Sequence, residues 1–193
     1  MVSVPDGIVA LAMRRLFSAL SLSLVLASLA LSGCNDHDTC HPGEPCDCSG
    51  GHECYIGCEG DGCSPRCFQM EHCGAVCDDH CSSQCFDVQE CSTSCGDDCA
   101  VSCHNAVACG AICGDRCNFD CHDMDRCGVR AGNGSEINVH NYSRTEIECT
   151  GTCHVRSASP DACDDQHGCS VKCLGNAALT MCGDGSVACG ACP

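Results

Sequence analysis

Tryptophan is absent from this 193-residue chain, and only two tyrosines and four phenylalanines stand in its place. An aromatic-rich core is therefore excluded. Basic residues are scarce as well: nine Lys plus Arg face 26 Asp plus Glu, for a formal charge of −17. That sign argues against nucleic acid or an anionic membrane surface as a ligand of the body. Large apolar groups are too thinly supplied for burial alone to offset ordering entropy, so cross-links or metals must carry part of the stability. What the chain has instead is sulfur, with 29 cysteines, far beyond the density that marks a disulfide scaffold.

The cysteines fall on a lattice. Between Cys73 and Cys127 they occupy 73, 77, 81, 85, then 91, 95, 99, 103, then 109, 113, 117, 121 and 127. The spacing runs 4, 4, 4, 6, which is a unit of 18 residues. Counted from Cys73, cysteine sits at positions 1, 5, 9 and 13. Position 3 carries Ala75, Thr93 and Ala111, and position 11 carries Ser83, Val101 and Phe119. Positions 6 to 8 and 14 to 18 hold polar residues such as Asp, Gly, Asn, His and Arg. This is period-2 alternation interrupted by turns, and it predicts two five-residue strands and two turns per unit. A helix would carry the four cysteines around its barrel by about 40° each and strand Gly96-Asp97 and Gly114-Asp115 in helix interiors. The unit therefore predicts an all-β, disulfide-stapled β-solenoid with coils about 4.8 Å apart.

The lattice persists where cysteine fades. Cys127 to Arg144 places Ala131, Ser135 and Val139 at positions 5, 9 and 13, with Ile137 at 11. Thr145 to Ala162 continues with Ile147, Cys149, Cys153 and Val155 in phase. Upstream, Cys54, Cys58, Cys63 and Cys67 form a unit with one extra residue in the Glu59 to Gly62 turn, and Cys40, Cys46 and Cys48 belong to a degenerate first coil. Downstream, Cys169 to Cys173 reads as a strand after a two-residue deletion, with Val171 inward, and Met181 to Pro193 as an irregular cap. Eight to nine coils, a rod of roughly 40 Å, are expected, and the repeat domain spans 40–193.

Ahead of the repeats, Met13-Arg14-Arg15 precedes an apolar run from Leu16 to Leu31, followed by Ser32-Gly33-Cys34. A basic head, a short apolar core and small residues before a break describe a secretory signal. The stretch Leu31 to Cys34 resembles the bacterial lipobox. That resemblance implies a signal peptide at 1–33, diacylglyceryl attachment and N-acylation at Cys34, and a lipidated lead at 34–39. It also implies a cell-envelope address, with Asn35 favouring the outer over the inner membrane. Acyl chains would then make the membrane a partner of Cys34, in a compartment where thiols oxidise. Residues 1–12 fit no part of a signal peptide, which points to Met13 as the start.

Without Cys34 an even 28 thiols remain. Losses come in pairs that suggest a connectivity: Ala131 with Ser135, and Val139 with Thr145. Nearest-neighbour pairing is therefore expected, with Cys77–Cys81, Cys85–Cys91, Cys95–Cys99, Cys103–Cys109, Cys113–Cys117, Cys121–Cys127 and Cys149–Cys153. The repeat also aligns His104, His122 and His140 at position 14, a ladder that offers imidazoles to Zn²⁺, Cu²⁺ or Ni²⁺. Asp79, Asp97 and Asp115 stack at position 7, where weak Ca²⁺ binding is conceivable, though the Gly-Gly-x-Gly-x-Asp motif of the calcium β-roll is missing. Asp87, Asn105, Asp123 and Asn141 at position 15 suggest a structural side-chain ladder.

No nucleophile–base pair, phosphate loop or paired acid/base site stands out, so neither catalysis nor a cofactor is expected. Insect antifreeze proteins are also small cysteine-stapled solenoids, but the likeness is architectural only, because no Thr-x-Thr array repeats here. The expectation is a surface-anchored structural or interaction lipoprotein of the bacterial envelope, with an unidentified surface partner. The alternative is a periplasmic metal-binding or metal-buffering protein built on the His and Asp ladders.

Overall fold

Alternation of sulfur or small apolar groups with polar ones lets an extended chain bury one face, and a short repeat lets that face stack on its own copy. The computed structural model describes residues 38–44, 46–157 and 168–193, all within the unit Cys34–Pro193. The expected signal peptide, the expected start at Met13 and the expected lipid attachment at Cys34 fall outside the described residues. The strands are β1 (Asp38–Cys40), β2 (Cys46–Ser49), β3 (Glu53–Cys58), β4 (Pro65–Val76), β5 (Ser82–Ser94), β6 (Ala100–Ile112), β7 (Asn118–Ala131), β8 (Ser135–Cys149), β9 (Cys153–Ser157), β10 (Cys169–Cys173), β11 (Leu179–Met181) and β12 (Val187–Cys189). Among the described residues there is no helix.

The strands wind into a β-solenoid of about seven turns of about 18 residues. From β4 to β8 each coil pairs in parallel with the next in one constant register, as in Cys85↔Cys103, Cys103↔Cys121 and Cys121↔Val139. The extra residue at Glu59 to Gly62 is real, since Cys54 pairs with Cys73 and Cys48 with Cys67. The two-residue deletion before Cys169 is not. Cys169 pairs with Thr145 and Val171 with Ile147, so this strand returns to position 1 after an insertion, and the ladder restarts in a different phase. The end of the rod is also more regular than expected. β11 and β12 form an antiparallel hairpin, and β12 runs antiparallel to β9, which closes the parallel stack and leaves fewer coils than eight or nine.

Two left-handed corners shape each coil. At position 8 His80, Asp98 and Arg116 take φ of 58°, 55° and 57°, and Gly134 takes over at 69°. At position 15 Asp87, Asn105, Asp123 and Asn141 lie between 51° and 56°, residues whose short polar side chains tolerate this region. The position-15 corner sits inside the long elements β5 to β8 and shifts the alternation by one residue. As a result position 16 turns inward, and Met70, Val88, Ala106 and Met124 are buried. Period-2 counting, by contrast, makes positions 14 to 18 a polar turn.

The core is a narrow column. Its middle is formed by positions 11 and 3, where the buried hydroxyls of Ser83 and Thr93 meet at 3.1 Å. In later coils the same places hold Val101 and Ala111, Phe119 and Val129, then Ile137 and Ile147, all buried. Each fully buried Val, Ile or Phe contributes about 1.5–3 kcal/mol.

Candidate functional site

Sulfur lines the two edges of this column. On one edge position 13 meets position 1 of the next coil, and the disulfides Cys48–Cys54, Cys67–Cys73, Cys85–Cys91, Cys103–Cys109 and Cys121–Cys127 form an unbroken run. Each has a sequence separation of 6 residues. Val139 and Thr145 succeed them, both buried, and the Thr145 hydroxyl has no hydrogen-bond partner.

The other edge, positions 5 and 9, behaves differently. Cys77–Cys81 and Cys149–Cys153 are joined, whereas Cys58, Cys63, Cys95, Cys99, Cys113 and Cys117 are free thiols. The expected Cys95–Cys99 and Cys113–Cys117 bonds are thus not formed. Cys95 hydrogen-bonds with Cys113 and Cys117 of the next coil as well as with its own neighbour Cys99. Hydrogen bonds with Cys113 and Cys117, followed by burial, push the Cys95 thiol up. Cys113 is raised by its contact with Cys117. Burial raises Cys99, and pushes Cys58 up to about 12. Hydrogen bonds from Cys113 and then Cys95 lower Cys117 to about 4. Its Sγ also lies 3.5 Å from the Gly114 carbonyl and 3.8 Å from the Gly96 and Asp115 carbonyls, contacts that favour the thiol. The C-terminal cysteines add Cys173–Cys189 and Cys182–Cys192, long closures that tie the hairpin to β10 and to the chain end.

The histidine ladder forms as aligned. His104, His122 and His140 stack with centroid separations of 5.0 and 4.8 Å and planes within 4°. Phe86 and Phe68 extend it at 5.4 and 5.2 Å, two residues the sequence reading left out although they share the 18-residue spacing. Parallel rings direct their nitrogen lone pairs side by side rather than at one point. His122 Nδ1 instead lies 3.1 Å from Asp123, and His104 Nδ1 is buried without a partner.

The position-7 acids have a structural task. Asp79 accepts the Asp97 amide at 2.7 Å, Asp97 the Asp115 amide at 2.9 Å, and Asp115 the Asn133 amide at 2.7 Å. Each carboxylate thus caps the turn of the coil above. A Cβ at Gly96, Gly114 or Gly132 would collide with the Asp79, Asp97 or Asp115 carboxylate, which is why glycine precedes the ladder residue. At position 15, Asn105 donates to Asp87 at 3.2 Å and Asn141 to Asp123 at 2.9 Å.

Sequence reasoning missed a polar cluster at the cap. The buried Ser186 hydroxyl lies between Asp184 and His154 Nε2, while His154 Nδ1 is buried without a partner. The acid here sits on the serine and not on the imidazole, so the order needed to orient a general base is lacking. The cluster instead fastens the closing hairpin to β9.

One broad face of the rod is open. Positions 2 to 4 of successive coils line a trough of about 980 Å³ with Gly74, Ser92, Gly110 and Gly128 along its floor. Val76 and Ile112 stand 63% and 56% exposed beside it, and Tyr55 47% exposed at one end. A Cβ on Gly74 would fall 2.7 Å from the Tyr55 ring, so glycine there lets the ring lie on the sheet. Compared with known proteins, the chain matches no family model, no curated protein and no solved structure.

Proposed function

We propose that this chain is an envelope lipoprotein whose stapled solenoid serves as a rigid structural or interaction rod, tethered through acyl chains on Cys34. The observation that carries the interaction part is the open trough. A parallel sheet normally has both faces covered, whereas this one keeps Val76, Ile112 and Tyr55 exposed along it. The tether rests on the lipobox-like Leu31 to Cys34, and the stapled edge suits a compartment that oxidises thiols. Outer-membrane placement follows from Asn35 after the modified cysteine, and no catalytic role is assigned.

Fractionation of cells fed labelled palmitate tests the tether. The wild-type chain is expected in the membrane fraction with label, and Cys34→Ala in the soluble fraction without it. Equal, unlabelled fractionation of both would refute the reading.

A further inference from the structure

The open face of the rod has two outward columns, positions 2 and 4, whose members stand one above another in the parallel register. In most rungs a glycine in one column stands beside a larger residue in the other. Gly74 shares its rung with Val76 and Gly110 with Ile112, and the even rung of Ser92 and Ser94 lies between them. Val76 and Ile112 are exposed. A Cβ on Gly110 would meet nothing within 4 Å, so this glycine leaves an empty socket beside Ile112. Over Gly74 lies the Tyr55 ring.

A two-fold axis parallel to the rod, midway between the columns, sets position 2 of one chain opposite position 4 of another in every rung. Ile112 then enters the socket at Gly110 of the second copy, Val76 meets the Tyr55 ring, and Ser92 meets Ser94. An axis across the rod through the serine rung would set like column on like column, driving Ile112 against Val76 and leaving the socket at Gly110 empty. Charge follows the first symmetry too. The trough is lined by two acids, Glu146 and Glu148, and two bases, Arg130 and Lys172, so this face is neutral on a chain of charge −17. Within one chain Glu148 takes both bases, Arg130 at 3.2 Å and Lys172 at 3.6 Å. Across the axis, Arg130 of the second copy sits over Gly128, one rung from Glu146, and its Lys172 sits over Ser170, one rung to the other side. Glu146 faces Glu148 of the second copy, and that acidic rung is held between the basic rungs of both chains.

We propose that this open face is a homodimer interface, in which two rods pack face to face with their coils ascending in the same direction about a two-fold axis parallel to the rod. The proposal rests on the reading of the trough as the interaction face and names its occupant, a second copy of this chain. Such an interface is isologous, the same patch serving both subunits. Seven rungs from Tyr55 to Lys172 make a strip of roughly 30 by 16 Å. Two copies therefore bury about 1,000 Å², the lower bound for a specific interface. That area gives a reversible dimer. Parallel rods also bring both tethers to one membrane, which raises the local concentration of the partner.

Sedimentation equilibrium of the full chain in density-matched detergent, over a range of concentrations, tests the interface. The wild-type chain should pass from monomer to dimer mass. Gly110→Ile fills the socket at a place open in its own chain and should lose the dimer. Ile112→Asp should lose it independently, so that one variant decides if the other does not fold. Gly110→Ile combined with Ile112→Gly exchanges bump and socket, and should recover the dimer because the axis still sets one opposite the other. A wild-type chain that stays monomeric at every concentration overturns the proposal and leaves the trough open to a different partner. A dimer that survives both single variants overturns it as well, and also removes the trough as the interaction face. Loss in the single variants with no recovery in the exchange contradicts the parallel arrangement.

Discussion

Two stretches of the same rod solve one packing problem by different means. From Cys67 to Cys127 the position-13 and position-1 residues are joined by sulfur, and the middle of the column widens from Ser83 with Thr93, through Val101 with Ala111, to Phe119 with Val129. From Cys127 to Cys149 that edge holds Val139 and Thr145, and the middle holds Ile137 and Ile147, each at most 1% exposed. The backbone does not register the change, because β7 and β8 pair continuously from Asn118↔Glu136 to Ala131↔Cys149. Sulfur is therefore not what defines the coil. Cross-links constrain the unfolded chain along the stapled edge, and where they stop the buried Val139 and Thr145 fill the same places.

The largest effect expected from this contrast is on reduction. Each short staple is worth about 2 kcal/mol in the chain-entropy model, and five of them approach the whole stability of an ordinary domain, about 5–15 kcal/mol. Reductant should unfold the Cys48 to Cys127 stretch, with amide exchange rising there first and later in β8 and β9. Uniform exchange along the rod would remove the distinction between the two regions.

Next in size is the loss of apolar volume. Ile137→Ala, in the coil without a staple, should cost about 2–5 kcal/mol by denaturant titration of the oxidised protein. The same deletion at Val101, between stapled edges, should cost less because the side chain is smaller. A smaller gain should come from closing the missing rung. Val139→Cys with Thr145→Cys should stabilise by about 2 kcal/mol, and it also removes the Thr145 hydroxyl that is buried without a partner. An unchanged unfolding midpoint would mean that the rung geometry is not conserved into this coil.

Reading the sequence revealed most of this architecture, since an 18-residue spacing of cysteine and its apolar successors fixes the register and the inward set. The position-16 residues escaped because the position-15 corner shifts alternation, and nothing in simple period-2 counting anticipates a left-handed residue inside a strand. Met70, Val88, Ala106 and Met124 nevertheless recur at the repeat spacing. The free thiols were not legible at all. Cys77–Cys81 is joined and Cys95 and Cys99 are free although the two pairs have the same spacing, so spacing carries no signal that separates them. The Ser186 cluster lay hidden because a hairpin brings it to His154 from 32 residues away.

The smallest effect concerns the corners. Asp98 receives a two-point contact from Arg116 at 2.7 and 2.6 Å, and that hydrogen bond holds its carboxyl below the usual range. Because the folded pKa is the lower one, the contribution is present above the ordinary Asp value of about 3.9 and fades as pH falls through the lower folded value. Arg116→Gln should therefore lower the melting temperature slightly at neutral pH and have no effect in strong acid. A difference that grows on acidification would reverse the assigned sign. The pair is exposed, so even at neutral pH the effect should be slight.

The central claim is that each coil is stapled to its neighbour along one edge, while the other edge is joined at Cys77–Cys81 and Cys149–Cys153 and keeps free thiols on its remaining cysteine rungs. Alkylation of the native protein without reductant, followed by peptide mapping, tests it most directly. The account predicts linked peptides for Cys67–Cys73, Cys85–Cys91, Cys103–Cys109 and Cys121–Cys127, with label on Cys58, Cys63, Cys95, Cys99, Cys113 and Cys117. Fragments from distant coils that remain joined, such as one holding Cys85 with one holding Cys121, would contradict it.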